Sequence, residues 1–189
     1  MRGKQMIKYG QKAPELTVSQ WLNVESDLSL SQLQGKVVVL HAFQMLCPGC
    51  VTHGIPQAAA VAEMFSVEDV QVIGLHTVFE HHDVMTVAAL QAFLQEYRVQ
   101  FPVAVDQVAD HGPIPKTMQA YGLEGTPSLI LIDRSGRIRL KHFGRLSDMQ
   151  LGSMIGQLIC EEPEASAAWP EENSSDQKGG DCSPDGCRV

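Results

Sequence analysis

The sequence predicts an α/β fold, a mixed β-sheet flanked by helices on both faces. Three observations carry that reading. Val37–Phe43 and Val70–Val78 are near-continuous apolar runs rich in β-branched residues, the pattern of strands buried on both faces as in parallel sheets. Each run is followed by a stretch with helical spacing, so the order is strand, helix, strand, helix. The last third changes style to a hairpin and a final helix, which adds antiparallel strands and makes the sheet mixed. Right-handed crossovers then put helices on both faces.

Taken in order, residues 1–36 read as mixed and irregular, with a short apolar-spaced stretch from Leu28 to Leu33. Gly35-Lys36 lead into the first strand, Val37–Phe43. Cys50 to Phe65 reads as an Ala-rich helix, with Pro56 near its start as a site for a kink. Val70–Val78 is the second strand. Thr86 is placed as the N-cap of a helix ending near Tyr97, with Leu90, Phe93, Leu94 and Tyr97 on one face. Phe101–Val105 reads as a short strand, and Ile114–Tyr121 as a short helix stopped by Gly122. Ser128–Ile132 and Ile138–Phe143 flank the turn sequence Asp133-Arg-Ser-Gly136 and form a hairpin. Ser147 caps the last helix, which turns Leu151, Met154, Ile155, Leu158 and Ile159 inward and ends near Cys160.

Composition divides the chain in two. Of its 189 residues 44% are hydrophobic, enough for a core of its own. The formal net charge is −8, from 14 Lys and Arg against 22 Asp and Glu, which argues against a nucleic-acid partner. Residues 161–189 hold eight acids and two bases, so −6 of that charge belongs to the end of the chain. The division expected is a domain over 1–160 and an acidic tail over 161–189. The tail, rich in Glu, Ser, Asp, Gly and Pro, has the composition of a disordered segment. Neither a signal peptide nor an apolar run near the roughly 20 residues of a membrane span is visible, which gives the expectation of a cytoplasmic protein with no membrane partner.

The strongest chemical signal is Cys47-Pro48-Gly49-Cys50, set between a buried strand and a helix. Free backbone N–H groups and the helix dipole favour an anion at that position, and so favour a thiolate. Pro48 suits a first helical position because its missing N–H has no helical partner to lose. Cys47 is then the exposed attacking thiol, and Cys50, a turn inward, resolves the mixed disulfide. The other reading of a C-x-x-C pair is half of a zinc site, although zinc pairs usually sit in turn-rich knuckles.

These cysteines sit in a longer pattern. Gly10-Gln-Lys-Ala13-Pro14, Gly35-Lys-Val-Val-Val-Leu40, the Cys47–Cys50 pair, Tyr121-Gly-Leu-Glu-Gly125-Thr126-Pro127-Ser128, Leu131-Ile-Asp133-Arg-Ser-Gly136-Arg-Ile138 and Gly144 follow one another across residues 8–160. In order and spacing the chain resembles thioredoxin-fold proteins of the redoxin branch, the TlpA/ResA-like and AhpC/TSA-like domains. The resemblance implies a thioredoxin-like sheet and a thiol–disulfide oxidoreductase. It implies that Pro127 is a cis-proline facing the cysteines and that Thr126 offers backbone hydrogen bonds to a bound peptide, with Pro48 and Gly49 lining the same place. It implies disulfide-containing protein or small-molecule substrates, an upstream thiol reductant, and neither a cofactor nor a metal.

The chain also departs from thioredoxin. Leu46 stands where thioredoxin has Trp, Pro48-Gly49 where it has Gly-Pro, and His41 where it has a buried Asp. His41 has two readings, a proton relay to Cys50 or a neutral core histidine. Glu80 falls in the loop expected at the site edge and reads either as a proton relay or as a solvated loop residue. His81 and His82 point apart and make poor joint metal ligands, and His76 reads as buried. Cys160 reads as a small apolar packing residue.

The tail carries a second pair, Cys182-Ser-Pro-Asp-Gly-Cys187, whose Pro-Asp-Gly turn brings the thiols together. It has three readings: an inert tail, a second redox pair exchanging with Cys47–Cys50, or the other half of a four-cysteine zinc site. Two further functional classes stand beside the oxidoreductase. A peroxiredoxin-like peroxidase needs a hydroxyl residue three positions before its peroxidatic Cys, and Gln44 and Cys47 occupy those positions here. A redox-sensing or metal-binding adaptor would use the tail cysteines.

Overall fold

In the computed structural model, which describes residues 9–161, six strands form a single sheet in the order β1-β4-β3-β2-β5-β6. The strands are β1 (Val18–Leu22), β2 (Val37–Phe43), β3 (Val70–His76), β4 (Val103–Asp106), β5 (Ser128–Ile132) and β6 (Ile138–Phe143). The helices are α1 (Ile55–Met64), α2 (Val87–Glu96), α3 (Lys116–Ala120) and α4 (Asp148–Cys160). β2 pairs parallel with β3, and β3 with β4, while β1, β5 and β6 join antiparallel, so the sheet is mixed as the sequence predicts.

β2 and β3 are buried at every position because both their faces are covered. Alternate residues divide between two cores. Val37, Val39, Phe43, Val72 and Leu131 face α1, α2 and α4, where Ile55, Ala58, Val61, Leu90, Leu94, Leu151 and Ile155 meet them. Val38, Leu40, Ala42, Ile73, Leu75 and Ile130 face the other way, against Trp21, Leu30, Leu33, Met118 and Tyr121. Helices therefore flank both faces, with the N-terminal segment completing the second layer.

The caps form as expected. The Thr86 hydroxyl accepts from the Ala89 N–H at 3.2 Å, and the Ser147 hydroxyl from the Gln150 N–H at 3.3 Å. Asp133 closes the β5–β6 turn by accepting from the N–H groups of Ser135 and Arg137, and Gly136 supplies the positive φ of 78°.

Four expectations need correction. Residues 18–22 are not irregular: they form β1, an edge strand whose register shifts between Val18 and Gln20 and which buries only Trp21. A bulged edge strand with one buried face leaves no period-2 pattern to read. The helix expected over 50–65 is not uniform. Helical geometry starts at Pro48, Cys50–Gly54 form a π-helical turn, and α1 follows. The Ile55 N–H bonds to the Cys50 carbonyl, five residues back. The next residue, Pro56, has no N–H to donate to Thr52, and the ladder is reset around that gap. Tyr97 is exposed beyond the end of α2, where it stacks on Phe93 at 4.4 Å between ring centroids instead of entering the core. Cys160 is exposed and does not pack inward, because it lies in the last turn of α4 on its solvent side.

Among the described residues, no helix is long and apolar enough to cross a membrane. The acidic tail and its cysteines, Cys182 and Cys187, lie outside the described residues.

Candidate active site

The parallel run β2-β3-β4 brings three strand C-termini to one edge of the sheet, and the loops that follow them meet there. Ser128 pairs near the end of β2, so the loop before β5 reaches the same edge. This is the usual place for a site in an α/β sheet. The sequence placed the cysteine loop and the 76–82 loop here, and both are here.

Cys47 acts as the N-cap of the helix. Its carbonyl accepts from the N–H of Cys50 at 3.0 Å and of Val51 at 3.1 Å. The Cys50 N–H also lies 3.2 Å from the Cys47 sulfur. The Cys50 N–H is thus shared between the Cys47 carbonyl and the Cys47 sulfur, at the end of the helix where its dipole favours negative charge. Cys47 is partly exposed and Cys50 is buried, both as free thiols. Burial, and next the hydrogen bond with Cys47, push the Cys50 thiol up to about 12. Cys50 therefore keeps its proton at neutral pH.

The opposing wall is the 125–127 loop. The Thr126–Pro127 peptide bond is cis. The Thr126 carbonyl accepts from the Cys47 thiol at 3.5 Å. A Cβ on Gly49 would come within 3.2 Å of the Pro127 ring, so the lack of a side chain at Gly49 lets the two loops close on each other. Pro48, Gly49, Thr126 and Pro127 are thereby gathered around Cys47. Leu46 and Phe143, 57% and 54% exposed, leave apolar surface beside the cysteine. A Cβ on Gly125 would meet the Phe143 ring at 3.0 Å, which ties Phe143 to the loop of Pro127.

His41 sits in β2 on the face covered by the helix that starts at Pro48. Its ring lies directly under Gly54, where an added Cβ would fall 2.2 Å from Cε1. His41 is 3% exposed and its Nδ1 has no hydrogen-bond partner. Burial, with a smaller push from nearby His53, lowers the imidazole to about 4. The ring is thus neutral at physiological pH. Glu80 is exposed, and its carboxylate accepts from the Gln44 side-chain amide at 3.2 Å. It joins the cysteine loop through Gln44. His76 is buried as expected, against Phe43 at 5.3 Å, and burial lowers it too to about 4.

Three positioning residues escaped the sequence reading. Gln44 is 1% exposed, and besides holding Glu80 it accepts from the Phe79 N–H at 3.2 Å, fastening the two loops together. Gly54 makes room for His41. Asp106, at the end of β4, accepts from the Thr77 hydroxyl at 2.9 Å and from the N–H groups of Thr117 and Met118 at 2.8 and 2.9 Å. It fixes the start of α3 to the loop after β3. A polar residue at the end of an apolar strand is the only sequence signal Gln44 and Asp106 carry, and Gly54, inside a helical run, carries none. Among the described residues, no three His, Cys, Asp or Glu side chains converge as a metal site.

The family model described as AhpC/TSA matches residues 9–141. The chain belongs to the AhpC/TSA family. A thioredoxin-like superfamily protein of known crystal structure is 56% identical to this redoxin, with a TM-score of 0.79, over 80% of this chain and 98% of its own. A thiol-disulfide isomerase from Corynebacterium glutamicum is 55% identical, with a TM-score of 0.76, over 79% of this chain and 98% of its own. The thiol-disulfide oxidoreductase ResA of Bacillus thuringiensis is 25% identical over 155 residues, 82% of this chain and 81% of the relative. These likenesses bear out the thioredoxin-fold redoxin expected from the motifs.

Proposed function

We propose that this redoxin, a thiol–disulfide oxidoreductase, works through Cys47 and Cys50 as a reductant of disulfides in proteins or small molecules. One observation carries the assignment of roles: the partly exposed Cys47 sulfur faces the Cys50 N–H at a helix start, while the Cys50 thiol is buried and held protonated. Cys47, as the thiolate, attacks one sulfur of the substrate disulfide and displaces the other as a thiolate. The Cys50 thiol then gives up its proton and attacks Cys47, which releases the second substrate thiol and leaves a Cys47–Cys50 disulfide. Two electrons pass to the substrate, and an upstream thiol reductant restores the pair. The backbone of Thr126 and the apolar rims at Leu46 and Phe143 support an extended segment lying across Cys47.

The test is insulin or model-disulfide reduction with a dithiol supplied. Cys47→Ser is expected to fall to the uncatalysed background, and Cys50→Ser to accumulate a mixed disulfide on Cys47. Wild-type activity in Cys47→Ser would end the proposal.

A further inference from the structure

We propose that the groove between α1 and the segment joining α2 to β4 binds a free α-amino acid with an apolar side chain, held as its zwitterion by Arg98 and Glu63. The groove has a volume of about 600 Å³, within the range of small-molecule sites. It lies by the first residues of β3 and the residues just before β4, at the end of the sheet opposite the Cys47 edge. The site is therefore separate from the dithiol.

The sequence leaves a gap at this place. Ala59 and Ala62 give the α1 wall little bulk. The pairing of β3 with β4 begins at Gly74, so no strand among the described residues covers that side of β3 at Gln71 and Val72. Val70 and Phe101, both buried, supply an apolar floor. Gln71 is 8% exposed, and its side-chain amide donates to the Val72 carbonyl at 2.9 Å. That bond fixes the amide on the groove, and its oxygen has no hydrogen-bond partner among the described residues.

Arg98 carries the argument. It follows α2 in the left-handed region, with φ 53°, its N–H on the Gln95 carbonyl and the Val99 N–H on the Leu94 carbonyl. Glycine usually fills that position after a helix, because a Cβ strains it. The segment does not need the arginine to hold its course. Asn23 fastens it by donating to the Val99 and Phe101 carbonyls at 2.8 and 3.2 Å. Nor does the guanidinium form an ion pair among the described residues. Glu63, on the α1 wall, forms none there either. The groove is thus bordered by one cation and one anion, each unpaired, and by an unused amide oxygen.

Those groups define the ligand. The guanidinium offers two parallel N–H donors to a carboxylate. Glu63 and the Gln71 oxygen are acceptors and suit an ammonium on the neighbouring carbon. No other charged residue lines the groove, so the remainder of the ligand is apolar and rests on Val70 and Phe101.

The experiment titrates the full, reduced chain with L-phenylalanine and follows the backbone amide resonances. The expected result is saturable shifts at residues 70–72 and 98–101, with residues 47–50 and 125–127 unmoved. Two arms each lack one charge: 3-phenylpropanoate has no ammonium, and 2-phenylethylamine has no carboxylate. Each is expected to bind about tenfold more weakly, the worth of one charge-assisted hydrogen bond. Arg98→Gly suits the left-handed backbone and so keeps the fold. It is expected to lose about tenfold in affinity for L-phenylalanine and nothing for 2-phenylethylamine. Glu63→Gln, on the exposed side of α1, should weaken L-phenylalanine and spare 3-phenylpropanoate. No saturable shift in the groove, shifts confined to the surroundings of Cys47, or equal losses for all three compounds in Arg98→Gly would overturn the proposal.

Discussion

Two buried histidines make the stability of this fold depend on mild acid. His41 and His76 are 3% and 1% exposed, each has a ring nitrogen without a partner, and burial lowers each to about 4 from an ordinary value of 6.5. A depressed imidazole pKa means that the unfolded chain binds the proton more tightly than the folded one. The stability is therefore complete above about pH 6.5 and is lost as the pH falls from 6.5 towards 4. A shift of that size is about 3 kcal/mol per histidine when the loss is complete. At pH 5 the loss is about 2 kcal/mol each, or about 4 kcal/mol for both, against a usual total of about 5–15 kcal/mol. Asp106 works in the opposite sense, since burial raises its carboxyl, and it offsets part of the loss only at the acid end. The assay is urea unfolding at pH 7 and pH 5 with excess reductant to hold the cysteines as thiols. With a slope near 2 kcal/mol/M, the midpoint is expected to fall by about 2 M. His41→Asn/His76→Leu is expected to keep less than half of that fall, whatever its stability at pH 7. Equal midpoints at the two pH values in wild type, or an undiminished fall in the double variant, would refute the reasoning.

Gly54→Ala drives a Cβ into the His41 ring and is expected to cost about 1–3 kcal/mol; His41→Ala in the same chain should recover much of it, a coupling that a double-mutant cycle of unfolding free energies measures. Asp106→Ala strands the Thr77 hydroxyl and the N–H groups of Thr117 and Met118, at about 1–3 kcal/mol each, so denaturation should show a loss of at least about 3 kcal/mol. Ser147→Ala removes the α4 cap and is expected to lower the unfolding free energy by about 1 kcal/mol with little change in disulfide reduction. Peroxide consumption should be no faster than that of a free thiol, because no hydroxyl residue stands three positions before either site cysteine; a rate far above that would favour peroxidase chemistry.

The sequence alone was enough for the elements whose signals are local. Val37–Phe43 and the hairpin strands Ser128–Ile132 and Ile138–Phe143 match residue for residue, because burial on both faces and a tight turn leave unmistakable patterns. Thr86 and Ser147 were legible as caps because a cap is chemistry within four residues. The cysteine pair was legible for the same reason. β1 was not, since an edge strand with a bulge and one buried side chain is held by its partner and not by its own pattern.

What the sequence by itself determined is the class of fold, the order of its main strands and helices, and the dithiol at a strand-to-helix junction. Only the tertiary structure decided what surrounds that dithiol. It set the Thr126 carbonyl against the Cys47 sulfur from 79 positions away and the Pro127 ring against Gly49, and it buried Cys50 so that the two thiols differ. It placed His41 beneath Gly54, which left the imidazole neutral. Each of these depends on contacts between distant segments and on removal from water. Neither is a property of the residues in sequence order, because solvation and distance are fixed only when the sheet is assembled.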